Sequence, residues 1–261
     1  MNLAFFRLLW RRNLAKVLAV FAGATLWGFL AAVIYQAIAA AIQGLPKIFN
    51  RFGSGDLTTF PGVITVMFEH PLLVALACTI VVGVTVPAIA GQRQRGTLEM
   101  VLARPIGRAR LINTVALTVI TMLLLTLLGT ALGILLGSAF EGLTAEVPLR
   151  ALLLVWLNST LLYCAFAAVA LASSASANRN GPAVAVTLAF LIVNYFIEVL
   201  GGYWEPAQPW QPYGLFHHFN AAAILGGGAS FFDFALLAAV AAAAYAFAVW
   251  RFTSRDIPAP D

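Results

Sequence analysis

Six strongly apolar stretches of this chain contain no Asp, Glu, Lys or Arg: 17–46, 71–92, 111–140, 151–178, 180–197 and 234–250. A helix rises 1.5 Å per residue, so about 20 residues cross a hydrocarbon layer of about 30 Å, and each run holds roughly that length. Hydrophobic residues make up 62% of the chain and charged ones 10%. The mean hydropathy is +0.92. A soluble core needs no such excess. The expectation is an all-α polytopic membrane protein, one transmembrane domain over 1–261. Its spans are expected at 17–42, 71–90, 111–139, 151–177, 181–199 and 233–251.

Orientation follows from the basic residues, which concentrate in cytoplasmic loops. With the N-terminus inside, the inner segments hold twelve Lys and Arg and the outer ones three, Lys47, Arg51 and Arg150. That split predicts cytoplasmic N and C termini. The first sixteen residues carry Leu3, Phe6, Trp10 and Leu14 at helical spacing, flanked by Arg7, Arg11, Arg12 and Lys16. This pattern predicts an interfacial helix over 1–16, lying on the inner leaflet. The uncharged run from Val17 to Pro46 is too long for the apolar part of a signal peptide. The net charge of +5 is interleaved with the spans, so it reads as a topology signal and an attraction to anionic lipid headgroups rather than a nucleic-acid surface. Cys78 and Cys164 fall inside apolar runs and read as small packing residues.

The most basic loop runs from Gly91 to Arg110 and holds Arg93, Arg95, Arg104, Arg108 and Arg110. Thr97 is suited to cap a short helix, with Glu99 in its first turn and Leu98, Val101 and Leu102 as an apolar stripe. Arg104-Pro105 would stop it, and Gly107 would let the chain turn. A short amphipathic helix over 96–104 is expected. On composition alone, arginines here need do no more than set topology.

The order of residues adds to this. Gly96-Thr97-Leu98-Glu99, then Leu102, Pro105 and Arg108, resembles the cytoplasmic loop of ABC-2 type transporter permeases between their second and third spans. Gln92 stands where that family usually has an acidic residue, and Gly107 where it often has Ser. The resemblance implies that 96–104 is the coupling helix that docks on a separate ATPase subunit. It implies a docking surface of Arg95, Gly96, Thr97, Leu98, Glu99, Leu102, Arg104, Pro105 and Arg108, with the interfacial residues Arg7, Trp10, Arg11 and Arg12 beside it. The family also carries a Phe-x-His-Phe element and an Asp before the last span, matched here by Phe216, His218, Phe219 and Asp233.

Between spans one and two, Gln43–His70 is too apolar for a loose linker and is expected to rest on the outer interface or cap the bundle. Gly129, Gly133 and Gly137 place three small residues on one face of the third span. That spacing lets helices approach closely in lipid, within one chain or between two. Polar side chains inside spans are costly, which makes Asn158, Asn194 and Glu198 candidates for lining a pathway or for holding helices together. The segment 200–232, with Pro206, Pro209, Pro212 and the interfacial aromatics Tyr203, Trp204, Trp210 and Tyr213, is expected to form short outer helices that dip in and return.

No Gly-x-x-x-x-Gly-Lys-Ser/Thr segment is present, so the chain itself is not expected to bind nucleotide or act as an enzyme. ATP and Mg would be bound by the partner ATPase, and this chain would hold no cofactor and no metal. The expected function is the permease subunit of an ABC-2 exporter of a hydrophobic or amphipathic compound. Its expected partners are two ATPase copies, a second permease copy or a related one, and membrane lipid, with no nucleic acid. The expected location is the plasma membrane, as a bacterial inner-membrane protein. The alternatives are a stand-alone channel or metal-dependent membrane enzyme using His217, His218, Glu205 and Asp233, or an ABC-like complex doing mechanical or signalling work.

Overall fold

The computed structural model describes residues 2–42, 51–102 and 107–255, with the backbone alone at Arg51, Glu99, Val101 and Leu102. Six of its helical segments are long and apolar enough to cross a membrane. They are α1 (Leu3–Ile42), a broken second segment made of α2 (Phe60–Glu69) and α3 (Pro71–Val81), α6 (Arg108–Phe140), α7 (Leu149–Ser176), α8 (Asn180–Tyr203) and α10 (Phe231–Ser254). Three short helices lie between them: α4 (Gln92–Gln94), α5 (Thr97–Leu102) and α9 (Ala221–Leu225). The described strands are a two-residue hairpin, β1 (Arg51–Phe52) and β2 (Gly55–Asp56).

The spine of the bundle is α1 lying parallel to α6. Asn2 N donates to Thr114 Oγ1 (3.0 Å) at one end, and the rings of Phe29 and Phe140 meet at 5.9 Å at the other. Between them Gly129, Gly133 and Gly137 face Phe21, Thr25 and Phe29, and Gly28 faces Thr130. A Cβ on Gly133 would run into the carbonyl of Thr25. The glycine ladder therefore serves a contact within the chain, where close backbone approach replaces the hydrophobic drive that lipid does not supply.

Helices of the structure run across two of the expected boundaries. The border between an interfacial helix and span one, at Lys16–Val17, lies inside α1, which runs unbroken for 40 residues. The chain has no Gly or Pro from Leu3 to Ala22. One buried stripe, Phe5, Leu9, Val17, Val20, Ala24 and Gly28, also continues across the border, so both parts use the same face.

The second crossing also begins earlier than residue 71. Along α1, Lys16 Nζ donates to Gly83 O (2.6 Å), Trp27 Nε1 to Met67 O (2.9 Å) and Tyr35 OH to Thr58 O (3.3 Å). The partner numbers fall as the α1 numbers rise, so residues 58–83 run antiparallel to α1 as one crossing. Thr59 caps α2 through Gly62 N (3.2 Å), Pro61 suits its first turn, and nearly every α2 residue is buried. Glu69, the charge that sets the boundary in the sequence, accepts from Ser54 N (3.0 Å) and the Ser54 hydroxyl. The break at His70 has extended backbone (ψ 141) before Pro71, as a residue preceding proline prefers. Of the expected outer segment, 43–50 lies outside the described residues and 60–69 belongs to this crossing.

The most enclosed crossing is α7, while α8 and α10 are peripheral. Arg108 Nη1 donates to Arg255 O (2.7 Å), and Asn2 meets Thr114. Both described ends of the chain thus share one end of the bundle, called the terminal end below.

Candidate functional site

At the terminal end the chain leaves α3 and makes a wide helical turn over Pro87–Gly91. In an α-helix Ala90 N would bond Val86 O. Here the Ser174 hydroxyl stands between them, accepting from Ala90 N (2.9 Å) and donating to Val86 O (2.9 Å). A side chain inserted in the ladder accounts for the widened turn. The turn continues into α4 and ends at Gly96, whose φ of +66 is left-handed and open to glycine at little cost. Gly96 N donates to Arg93 O (3.0 Å) and closes the end of α4.

Thr97 is not the cap of α5, which is a correction. It is the first helical residue, and its hydroxyl donates back to Gln92 O (3.2 Å). Because Gly96 is left-handed, α4 gives way to α5 across only Arg95 and Gly96, and the Thr97 hydroxyl reaches a carbonyl of α4 instead of an amide of α5. Leu98 is 1% exposed and Met100 70% exposed, so α5 sits on the bundle by one side and offers the other. Arg95 is exposed. The side chains of Glu99 and Leu102, and all of Arg104 and Pro105, lie outside what is described.

The segment hangs from the C-terminus of α7. The Arg93 guanidinium donates to Ala175 O (3.4 Å) and to Ala177 O. Arg255 donates to Ala175 O, Ser176 O and Asn178 Oδ1, the last at 2.6 Å. Asn180 N donates to Gln94 Oε1 (2.8 Å). These carbonyls have no partner inside the helix and mark the negative end of its dipole, which favours cations. No described carboxylate forms an ion pair with any of these arginines. Burial pushes Arg93 down to about 10, helped by the charges of Arg255, Arg251 and Arg108. Its Nε and Nη2 are buried without a partner among the described residues.

Arg108, expected to face a partner, spends a donor on Arg255 O (2.7 Å). Arg7, Arg11 and Arg12 are exposed on the same end of α1, and Trp10 packs at 6.2 Å from Phe6. Sequence reasoning missed Arg93, Ser174, Asn178 and Arg255 as a unit. Their signal was faint: a Ser-rich helix end before Asn178, and arginines that topology alone explains.

At the far end, residues 205–213 and 215–218 form tight helical turns folded onto α8 and α10. Phe216 inserts between Phe166 (5.4 Å) and Tyr195 (5.3 Å). Phe219 is buried. Asn194 accepts from Leu215 N (2.8 Å) and donates to Phe190 O (2.8 Å), and Glu198 accepts from Gln211 Nε2 (3.2 Å). Both side chains are therefore engaged by the folded segment or their own helix. Asn158 is fully buried and neither end of its amide has a partner.

His218 meets Asp233 Oδ1 through Nδ1 (2.8 Å) and Pro212 O through Nε2 (3.1 Å). Both partners are acceptors, so a ring with hydrogen on each nitrogen satisfies both. His217 lies 3.7 Å from Glu198. Burial and the neighbouring His218 hold its pKa below the ordinary value, against the pull of Asp233. The two histidines thus serve different carboxylates, and no three His, Cys, Asp or Glu side chains among the described residues converge on a metal position.

Six membrane-length apolar helices with both described ends together define the chain as a polytopic α-helical membrane protein. No protein-family model matches the chain, and no curated protein matches it.

Proposed function

We propose that this chain is the membrane-spanning permease subunit of an ABC-2 type ATP-driven transporter, exporting a hydrophobic or amphipathic compound from a bacterial cell across its inner membrane. The terminal end faces the cytoplasm in this reading, in keeping with its basic residues. Two ATPase subunits bind there and supply ATP and Mg, and a second copy or a related permease completes the pathway.

One observation carries the reading. The segment bearing the Gly96-Thr97-Leu98-Glu99 resemblance is a small hinged unit: Leu98 is buried, Met100 is exposed, and Arg93 ties the unit to the last carbonyls of the most enclosed crossing. A push on α5 would reach α7 through hydrogen bonds rather than through a loose loop.

The test is co-purification of the chain from its native host with a bound ATPase, followed by ATP hydrolysis in lipid. The expected result is a stoichiometric ATPase whose association is weakened at least tenfold by Met100→Asp, and whose hydrolysis is uncoupled from transport by Glu99→Ala. Absence of any ATPase in the native complex, or coupling indifferent to both changes, overturns the reading.

A further inference from the structure

A cavity of about 380 Å³ lies between α6, α7 and α10, toward the terminal end. Its floor is α7 and the segment after α3, where Thr85 and Leu171 are almost fully enclosed. Its mouth lies between α6 and α10, where Leu117, Ile120 and Ala242 are exposed. Alanines on two facing helices, Ala167 and Ala168 on α7 and Ala241 and Ala242 on α10, make the room. An apolar space that opens sideways from a membrane bundle meets lipid hydrocarbon, and an apolar cavity does not hold water well.

The polar groups in the lining are few, and Thr85 and Asn113 can each offer a hydrogen to a ligand. Thr85 is 1% exposed, and its hydroxyl has no partner among the described residues. Asn113 accepts from Tyr245 OH (2.8 Å) through its carbonyl, which leaves its amide hydrogens free. Arg110 lies three residues before Asn113, on the helix face that continues toward the terminal end. It is exposed and makes no side-chain hydrogen bond or ion pair among the described residues. Among the described residues no carboxylate lines the cavity. An enclosed hydroxyl and amide hydrogens in the lining, with Arg110 about one helical turn before Asn113, complement an anionic head on a hydrocarbon chain.

We infer that this cavity is a binding site for one acyl chain of an anionic amphiphile from the bilayer, its chain between α7 and α10 and its head at Arg110 and Asn113. The site goes beyond the permease reading and does not require it. The same chemistry comes from a free fatty acid or from an anionic phospholipid inserting one chain.

The test reconstitutes the full chain in phosphatidylcholine nanodiscs with one of three diazirine probes: a fatty acid, a phosphatidylglycerol or a phosphatidylcholine. Crosslinked peptides are then mapped by mass spectrometry. At least one anionic probe is expected to label residues 113–120, 164–171 or 241–245 at least fivefold above the phosphatidylcholine probe. Which anionic probe labels identifies the source, and either one supports the site. Ala167→Phe should reduce this labelling about tenfold by filling the slot. Should that variant fail to fold, Ala242→Leu at the exposed mouth is expected to reduce it severalfold. Arg110→Gln should remove the preference for the anionic probe. Labelling spread evenly over lipid-facing positions such as Leu153 and Val193, labelling indifferent to Arg110→Gln, or a second copy crosslinked across the mouth with no lipid adduct would each overturn the inference.

Discussion

Arg93 and Ala177, 84 residues apart in the chain, are joined by a hydrogen bond from guanidinium to carbonyl. The bond fastens the segment between the second and third crossings to the end of the fourth. It forms inside a cluster of like charges: Arg93 feels Arg255, Arg251 and Arg108, with no described carboxylate paired to any of them.

Members of that cluster should behave oppositely on removal. Arg255 makes three hydrogen bonds at the α7 terminus, so Arg255→Gln should lower stability by about 1–3 kcal/mol. Arg251 adds repulsion without a side-chain hydrogen bond among the described residues, so Arg251→Gln should be neutral or raise stability by under about 1 kcal/mol. Melting temperatures in detergent at low salt check the pair, and added salt should shrink the Arg251 effect. Equal losses from both substitutions would refute the repulsion argument.

The glycine ladder makes a second prediction. At Gly133 even a methyl group meets the backbone of α1, so Gly133→Ala should cost about 1–3 kcal/mol. At Gly181, near the start of α8, nothing lies within 4 Å of an added Cβ. Gly181→Ala should therefore be neutral or stabilise by up to about 1 kcal/mol. Thermal aggregation of the two variants in the same detergent distinguishes a tight contact from a general intolerance of substitution.

His218 and Asp233 should be coupled. The bond between them ties the folded far-end segment to the first turn of α10. A double-mutant cycle with His218→Gln and Asp233→Asn should give an interaction energy of about 1–3 kcal/mol. Hydrogen exchange over 205–225 should rise in each single variant. Additive effects would mean that the two side chains hold their elements independently.

His217 sets a pH dependence for the same segment. Its folded pKa lies below the ordinary 6.5, chiefly through burial. As pH falls below about 6.5 the unfolded or detached form takes up the proton first, so stability rises with pH across this window. Its contribution is complete above about 6.5 and is lost as pH drops toward the lowered value. The His217 side chain is 42% exposed, so the loss should be small. Trp210 fluorescence between pH 7 and 5 should report loosening that His217→Gln abolishes. A loosening that persists in the variant would move the cause to another group.

The crossings were legible because burying backbone in lipid demands long uncharged helices, and charge-free runs announce them. The limits of that signal are equally physical. Glu69 is a charge inside the second crossing, hidden from a rule that counts charges because Ser54 supplies two donors from fifteen residues away. Thr97 has the composition of a cap, yet the left-handed Gly96 turns its hydroxyl toward Gln92. Ser174 reads as one serine among several at a helix end, and only its meeting with Val86 and Ala90 separates it from Ser173 and Ser176.

The sequence by itself determined the solvent this protein folds in, the number of its long apolar helices and the glycine face that one of them offers, since these depend on composition and spacing along a single helix. Tertiary structure decided what covers that face, where the second crossing begins, which arginines hold the end of α7 and where alanines leave room between α7 and α10. Those outcomes depend on which distant donors and side-chain volumes come into contact, and no local pattern encodes them.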